Sequence, residues 1–188
     1  ALIALGYTMV YGVIELINFA HGEIYMIGAF TALIVTGVLT ISGLNLLAIF
    51  VIAMLIAIVW SAGYGYTMEK IAYKPLRNSP RLSALIGAIG MSLFLQNYVR
   101  LAQTSDFLPF PDLVPELGFL GPVLNLITTT QAIIFSATAV VMVALWILIK
   151  FTRIGKSMRA VSQDKVMSRL LGINVDRVIG LTFIIGSA

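Results

Sequence analysis

The chemically most versatile side chains near the start of this chain fall in one polar interruption between two apolar runs. Asn18, His21 and Glu23 supply an amide, an imidazole and a carboxylate, with Phe19 and Gly22 between them. We interpret His21 as a hydrogen-bonding clamp, because proton relays and metal sites usually need several ionisable groups and the chain has no second His. Glu23 is the alternative proton carrier. The chain contains no Cys, which excludes disulfides, thiolate metal sites and a Cys nucleophile.

Two structures are compatible with this interruption. In lipid, irregular backbone at membrane depth is stable only inside protein or beside a water-filled cavity. A helix that breaks at Asn18 and restarts after Gly22 would hold the polar groups at such a point. The alternative is a short cytoplasmic turn in which Asn18 caps a helix and His21 binds backbone carbonyls. We expect the broken helix, because a cytoplasmic turn should carry basic residues and this stretch carries Glu15 and Glu23 instead.

The composition indicates which elements must position these groups. Apolar residues make up 60% of the chain and charged residues 11%, and the mean hydropathy is +1.01. Soluble domains carry about twice that share of charge, so a soluble domain is excluded. A hydrocarbon core about 30 Å thick needs roughly 20 helical residues. Runs of that length lie in residues 13–39, 46–66, 83–101 and 131–149.

We therefore predict an all-α fold, a polytopic transmembrane helix bundle with a broken helix near the N-terminus. Residues 1–188 form a single transmembrane domain that we expect to be incomplete at both ends, with residues 1–14 and 178–188 as parts of further spans. Gly43 and Asn45 predict a tight external turn. Ser79 and Pro80, with Ser83, predict the cap and first turn of the third span.

Basic residues are concentrated on two alternate connections. Eleven of the twelve Lys and Arg residues lie in residues 66–83 and 149–178, whereas the basic-free connection of residues 102–130 carries acids only. The positive-inside bias places both basic connections in the cytoplasm and the acidic one outside. The same bias accounts for the net charge of +4, so we expect membrane lipid and no nucleic acid as a partner.

The outer connection, residues 102–130, carries prolines that forbid a long helix there: Pro109, Pro111, Pro115 and Pro122. We predict a compact external cap over the outer mouth of the bundle. The cap serves either as structural packing or as a docking surface for an external partner.

The second basic connection, residues 150–177, predicts one short amphipathic helix followed by a turn. Its apolar face contains Ala160, Met167, Leu170 and Leu171, and its polar surface contains Arg159, Ser162, Gln163 and Arg169. Gly172 is expected as the left-handed C-cap, and Asn174 or Asp176 as the start of the next span. The helix lies either on anionic lipid headgroups or with its apolar face in a groove of a cytoplasmic protein.

One local motif resembles the end of a nucleotide-binding loop, but its surroundings argue against a nucleotide site. Residues 154–157 read Ile-Gly-Lys-Ser, the ending of a phosphate-binding loop, but Lys150 stands where the first glycine belongs. The segment also follows a membrane helix rather than a strand. We therefore predict no nucleotide site here.

Three blocks of the chain resemble the permease subunit of bacterial branched-chain amino acid ABC transporters. They are INFAHGEIYMIGAF (17–30), MEKIAYKPLRNSPRLSALIGAIGMSLFLQNYV (68–99) and RAVSQDKVMSRLLGINVDRVIGLTF (159–183). The resemblance implies a multi-pass protein of the bacterial inner membrane that pairs with a second permease subunit and forms a pathway at their interface. It also implies cytoplasmic ATPase subunits, which bind the ATP, and a periplasmic substrate-binding protein. No cofactor is expected in this chain.

The resemblance assigns two sets of residues. The helix break near the pathway contains Asn18, Phe19, His21, Gly22 and Glu23, and the ATPase-coupling helix contains Arg159, Ser162, Asp164, Met167, Leu170, Leu171 and Gly172. The EAA---G loop of many ABC importers is represented only by Val166, Met167 and Ser168 followed by Gly172. Its Glu is absent, so a role that depends on that Glu does not transfer to this chain.

Three classes of function can be compared for this chain. The resemblance favours a subunit of an ATP-driven importer of leucine, isoleucine and valine, with relatives assigned to urea and short amides as an alternative substrate class. A proton-coupled secondary carrier would use His21 and Glu23, although its spans hold few other ionisable groups. An intramembrane enzyme is least supported, because the spacing of residues supports no metal-ligand cluster, paired carboxylates or Ser/His/Asp arrangement. We therefore expect no catalytic, cofactor-binding or metal-ligating residues.

Overall fold

The computed structural model of the chain describes residues 2–15, 17–77, 79–103, 108 and 129–188. All regular elements within these ranges are helices, which confirms the predicted all-α bundle. In chain order they are α1 (Leu2–Ile14), α2 (His21–Ile41), α3 (Leu46–Met68), a π-helix (Glu69–Tyr73), α4 (Lys74–Leu76), α5 (Arg81–Ala102), α6 (Thr129–Phe151), α7 (Arg153–Gln163), α8 (Lys165–Leu170) and α9 (Val175–Ser187).

Four described helical stretches are long and apolar enough to cross a membrane. They are His21–Ile41, Leu46–Leu76, Leu82–Ala102 and Thr130–Phe151. The third and fourth spans lie where the sequence predicts them. The second begins as predicted but continues through the π-helix and α4, so its C-terminal end is longer than expected.

The first apolar run is interrupted, as the predicted helix break requires. The apolar run from residue 13 to 39 is not one helix, because Glu15 has a φ of 61°, which a right-handed helix does not allow. The span begins only at His21. The preceding helix, α1, has 13 residues and rises about 20 Å, less than the thickness of the hydrocarbon core.

Local signals explain most of the turns. Gly43 has a φ of 70°, and the side chain of Asn45 accepts a hydrogen bond from the backbone N–H of Leu47 at 3.3 Å, which confirms the predicted turn. The predicted serine cap of α5 was wrong. Pro80 itself occupies the N-cap position, and its carbonyl accepts the N–H of Ser83 at 2.9 Å without a side-chain bond.

The core contains buried side chains from α1, α2, α3, α5, α7 and α9, and several of these helices meet at small residues. A side chain at Gly28 would meet Ser61 of α3, and one at Gly65 would meet Ser187 and Phe183 of α9. Such contacts let helix backbones approach closely inside a membrane. The span in α6 differs, because none of it is buried against the described parts of the chain. Its surface is therefore available to lipid or to another subunit.

Candidate functional site

The polar break, residues 15 and 17–20, leads from the end of α1 to His21, which lies beside the middle of α1. The ring of His21 packs against Tyr7 with 6.2 Å between ring centroids, and its Nε2 would lie 2.9 Å from a Cβ placed on Gly6. Gly6 stands about 12 Å above Ile14 along α1. The chain therefore folds back alongside α1, and α2 starts at that depth.

The predicted helix break is confirmed, but its limits differ from those expected. Helical geometry stops at Ile14 and resumes at His21, instead of stopping at Asn18 and resuming after Gly22. Asn18 instead forms the turn that precedes α2, whose N-cap residue is Ala20. The carbonyl of Asn18 accepts the N–H of His21 at 3.2 Å, and its side-chain Oδ1 accepts the N–H of Ala20 at 3.1 Å.

Asn18 is also tied to the cytoplasmic end of the second span. It is only 2% exposed, and its Oδ1 accepts a hydrogen bond from the Tyr73 hydroxyl at 3.0 Å. The Tyr73 ring packs on Phe183 of α9, with centroids 5.2 Å apart. A buried amide held by two donors is costly to displace, because its partners would lose their hydrogen bonds away from water. The break is thus fixed by α9 and the π-helix as well as by its own backbone.

The carboxylate of Glu23, in the first turn of α2, lies beside the middle of α5. Its Oε1 accepts a hydrogen bond from Ser92 Oγ at 3.1 Å. Ser92 stands about 16 Å from the start of α5, at half the length of that helix. Ionisable groups at such depth are expensive and face protein or a water-filled cavity. This position agrees with the interpretation of Glu23 as part of a pathway.

His21 is buried, being 6% exposed, and its Nδ1 has no hydrogen-bond partner among the described residues. Within the same part of the chain, His, Asp and Glu form no cluster of three or more that would hold a metal ion. Whether the imidazole acts as a hydrogen-bonding clamp remains a prediction.

The other two predicted residues of the break lie on an open surface. Phe19 is 46% exposed, and a Cβ on Gly22 would meet nothing within 4 Å. Tyr25, one turn further along α2, is 60% exposed. Because irregular backbone does not face lipid directly, this surface requires a protein partner or a water-filled space beside it.

The second basic connection forms two helices, so the prediction of a single amphipathic helix was wrong. Arg159 and Ser162 lie on α7, whereas Met167 and Leu170 lie on α8. Asp164 separates the helices, because its extended backbone ends α7 and its Oδ1 accepts the N–H groups of the first turn of α8 at 2.7 and 2.9 Å. An Asp at this position favours a new helix start over continuation.

The predicted end of this segment is confirmed. Gly172 has a φ of 82°, as expected for a left-handed C-cap. Asn174 caps α9, because its Oδ1 accepts the N–H of Arg177 at 3.0 Å. The apolar residues of α8 do not pack on the bundle: Val166, Met167, Leu170 and Leu171 are 69%, 53%, 77% and 73% exposed. We call these four residues the α8 apolar patch.

The two basic connections lie at the same end of the bundle. Arg77 donates from Nη1 to Asp176 Oδ1 at 2.6 Å, which joins the first connection to the start of α9. Lys165 Nζ donates to the carbonyl of Ile14 at 3.1 Å, which places the end of α1 there as well. This arrangement agrees with a common cytoplasmic side for both connections.

The residues that resemble a phosphate-binding loop belong to the corner between α6 and α7. The N–H of Gly155 donates to Thr152 Oγ1 at 3.1 Å, and Gly155 packs against the backbone carbonyls of Leu148 and Ile149. A glycine in a tight corner explains this motif without a nucleotide.

Sequence reasoning missed the buried ion pair between Arg77 and Glu69. Their side chains are 13% and 5% exposed. The available signal was that Glu69 is the lone acid in an otherwise basic connection. The predicted external cap, residues 102–130, lies almost wholly outside the described residues.

Membrane-length helices, a polar break between two helices and a short helix with exposed apolar residues at one end define a multi-pass helical membrane protein. The profile of the family described as branched-chain amino acid transport system, permease component, matches residues 1–188, and the chain belongs to that family. It is a multi-pass protein of the inner membrane.

Curated relatives share this assignment. The chain is 49% identical over 192 residues to the high-affinity branched-chain amino acid transport system permease protein LivH of Salmonella typhimurium LT2 and to LivH of Escherichia coli K12. It is 45% identical over 195 residues to the permease protein BraD of Pseudomonas aeruginosa PAO1. Each alignment covers 100% of this chain but 62% of the relative. No solved structure matches the chain significantly.

Proposed function

We propose that this chain is the membrane-spanning permease part of an ATP-driven importer that carries branched-chain amino acids across the inner membrane. The observation that carries this proposal is the 49% identity, along the whole chain, to permeases whose names state that substrate class. The same names favour branched-chain amino acids over urea or short amides.

The polar break is the proposed wall of the translocation pathway. Asn18 and His21 are buried behind it, whereas Phe19 and Gly22 present an open surface and Glu23 accepts a hydrogen bond from Ser92 at the middle of α5. A second permease subunit packed against that surface would shield the irregular backbone from lipid. The substrate would then pass between the two subunits, beside the polar groups.

The α8 apolar patch is the proposed contact with cytoplasmic ATPase subunits. It is short, helical and apolar, and α7 beside it carries basic residues. These features fit insertion of a helix into an apolar groove of a partner protein. ATP would do work by binding the partner subunits more tightly in one of two arrangements of the permease. A periplasmic substrate-binding protein is the proposed partner on the outer side.

Substitution of Leu170 by Asp is expected to abolish capture of the ATPase subunits by the full-length permease. The charge would have to be desolvated inside an apolar groove, which we expect to weaken binding at least about tenfold. Pull-down from detergent-solubilised membranes measures the effect. Leu44→Asp is the control, because Leu44 is also an exposed leucine and lies in the turn between α2 and α3, outside the α8 apolar patch. Normal ATPase capture by the Leu170→Asp protein would exclude the patch as the contact.

Uptake by the full-length complex in proteoliposomes tests the function itself. The proposal predicts that leucine accumulates only when the binding protein is on one side of the membrane and ATP is on the other. A protonophore should not prevent this accumulation. The carrier alternative, suggested by the Glu23 carboxylate beside the middle of α5, predicts uptake that needs a proton gradient and continues without the ATPase subunits. That second result would replace the importer by a secondary carrier.

A further inference from the structure

We propose that Asp176 is a positioning residue that connects α8 to the polar break through Arg77 and the π-helix. The inference rests on the proposed function and adds to it the route by which movement of the ATPase contact reaches the translocation pathway. It is carried by a continuous series of hydrogen bonds and ring contacts.

The first step joins α8 firmly to α9. The N–H of Ile173 donates to the carbonyl of Ser168 at 3.0 Å, and the N–H of Arg177 donates to Asn174 Oδ1 at 3.0 Å. Ser168 is only 2% exposed. These bonds leave the turn between the helices little freedom, so a displacement of α8 also displaces the first turn of α9.

The second step crosses from α9 to the end of the second span. Arg77 lies between two carboxylates: Nη1 donates to Asp176 Oδ1 at 2.6 Å, and Nη2 pairs with Glu69 Oε1. A guanidinium can bind both because its donors form a rigid planar fork. Lys74 adds a weaker attraction, with Nζ 3.9 Å from Asp176 Oδ2. Movement of Asp176 is therefore transmitted to Glu69 through the rigid guanidinium group of Arg77.

The third step runs along the π-helix. Glu69 opens this element and Tyr73 closes it, and the Tyr73 hydroxyl donates to Asn18 Oδ1 in the polar break. A π-helix is rare and is found most often as a single turn at functional sites, where it disturbs the regular register of a helix. A segment of this kind can change register without unfolding the span.

The side chain of Asp176 is more exposed than those of Arg77 and Glu69. The side chain of Asp176 is 50% exposed, whereas those of Arg77 and Glu69 are 13% and 5% exposed. Exposed ion pairs add little to stability, so holding the fold together does not account for this arm of the network. Asp176 is placed instead to transmit a displacement to the buried pair.

The test uses the full-length complex in proteoliposomes and measures leucine imported and ATP hydrolysed in the same sample. Asp176→Asn is expected to lower the leucine imported per ATP by about fivefold or more. The basal ATPase rate should stay within about twofold of wild type, and the thermal unfolding temperature within about 4 °C. Asp176→Glu, which keeps the charge, should restore most of the ratio. Arg177→Gln, an exposed substitution in the same turn, should leave it unchanged.

Two results would overturn the inference. One is a wild-type ratio of transport to hydrolysis in Asp176→Asn. The other is a parallel loss of uptake, hydrolysis and thermal stability, which would indicate a purely structural role. Failure of the wild-type complex to import leucine with ATP is a separate outcome, because it would refute the proposed function first and this inference with it.

Discussion

Substitution of Arg77 by Met is expected to lower the free energy of unfolding of the full-length protein by about 3–5 kcal/mol. The reason is that Glu69, whose side chain is 5% exposed, would be left as an uncompensated charge. Arg77 also pairs with Asp176, but that carboxylate is half exposed and can be solvated by water. Thermal or denaturant unfolding in detergent measures the loss.

Two further variants show whether the loss comes from the stranded carboxylate. Glu69→Met combined with Arg77→Met removes both charges and should recover most of the stability, because apolar side chains often replace a buried pair without penalty. Lys74→Met should cost about 1 kcal/mol or less, since Lys74 is half exposed and 3.9 Å from Asp176. A double variant as unstable as Arg77→Met would contradict the explanation.

The second large effect is expected from substitution of Gly155 by Ala, which should destabilise the full-length protein by about 1–3 kcal/mol. An added Cβ would meet the carbonyl oxygens of Leu148 and Ile149. These are backbone atoms at the end of α6, so no side-chain rotation can make room. The corner between α6 and α7 would have to open, which would also move α8. Unfolding in detergent and pull-down of the ATPase subunits measure the two consequences.

The matched control for this change is Gly63→Ala in α3. A Cβ on Gly63 would meet nothing within 4 Å, so the same substitution should leave stability unchanged or raise it slightly through helix propensity. Equal stability of the Gly155→Ala and Gly63→Ala proteins would show that the corner between α6 and α7 adapts without cost.

Features governed by neighbouring residues were predictable from the sequence. The membrane-length helices follow from apolar runs, and the caps at Gly172 and Asn174 follow from residue type. The division into α7 and α8 was missed for a local reason, because Asp164 prefers to cap a new helix. Residue pattern alone does not decide between an exposed Asp within a helix and an Asp that interrupts one.

The sequence predicted the residues of the candidate site but not its geometry, because that geometry depends on contacts between distant parts of the chain. The polar composition of the break was clear, but its exact limits depend on Asn18 bonding to Tyr73, 55 residues away. The link between Arg77 and Asp176 spans 99 residues. Periodicity and cap signals carry no information about such pairs, so the network emerged only from the three-dimensional structure.

Cysteine labelling tests the central claim, that α8 lies on the cytoplasmic side where an ATPase can bind it. The 188 residues contain no Cys, so single cysteines can be introduced into the full-length protein once any others are removed. Leu170 on α8 and Leu44 in the turn after α2 are both exposed leucines, 77% and 46%. We expect Leu170→Cys to react with a membrane-impermeant maleimide only from the cytoplasmic face, and Leu44→Cys only from the outer face. Reaction of Leu170→Cys in intact, sealed cells would show the opposite topology and exclude α8 as a cytoplasmic ATPase contact.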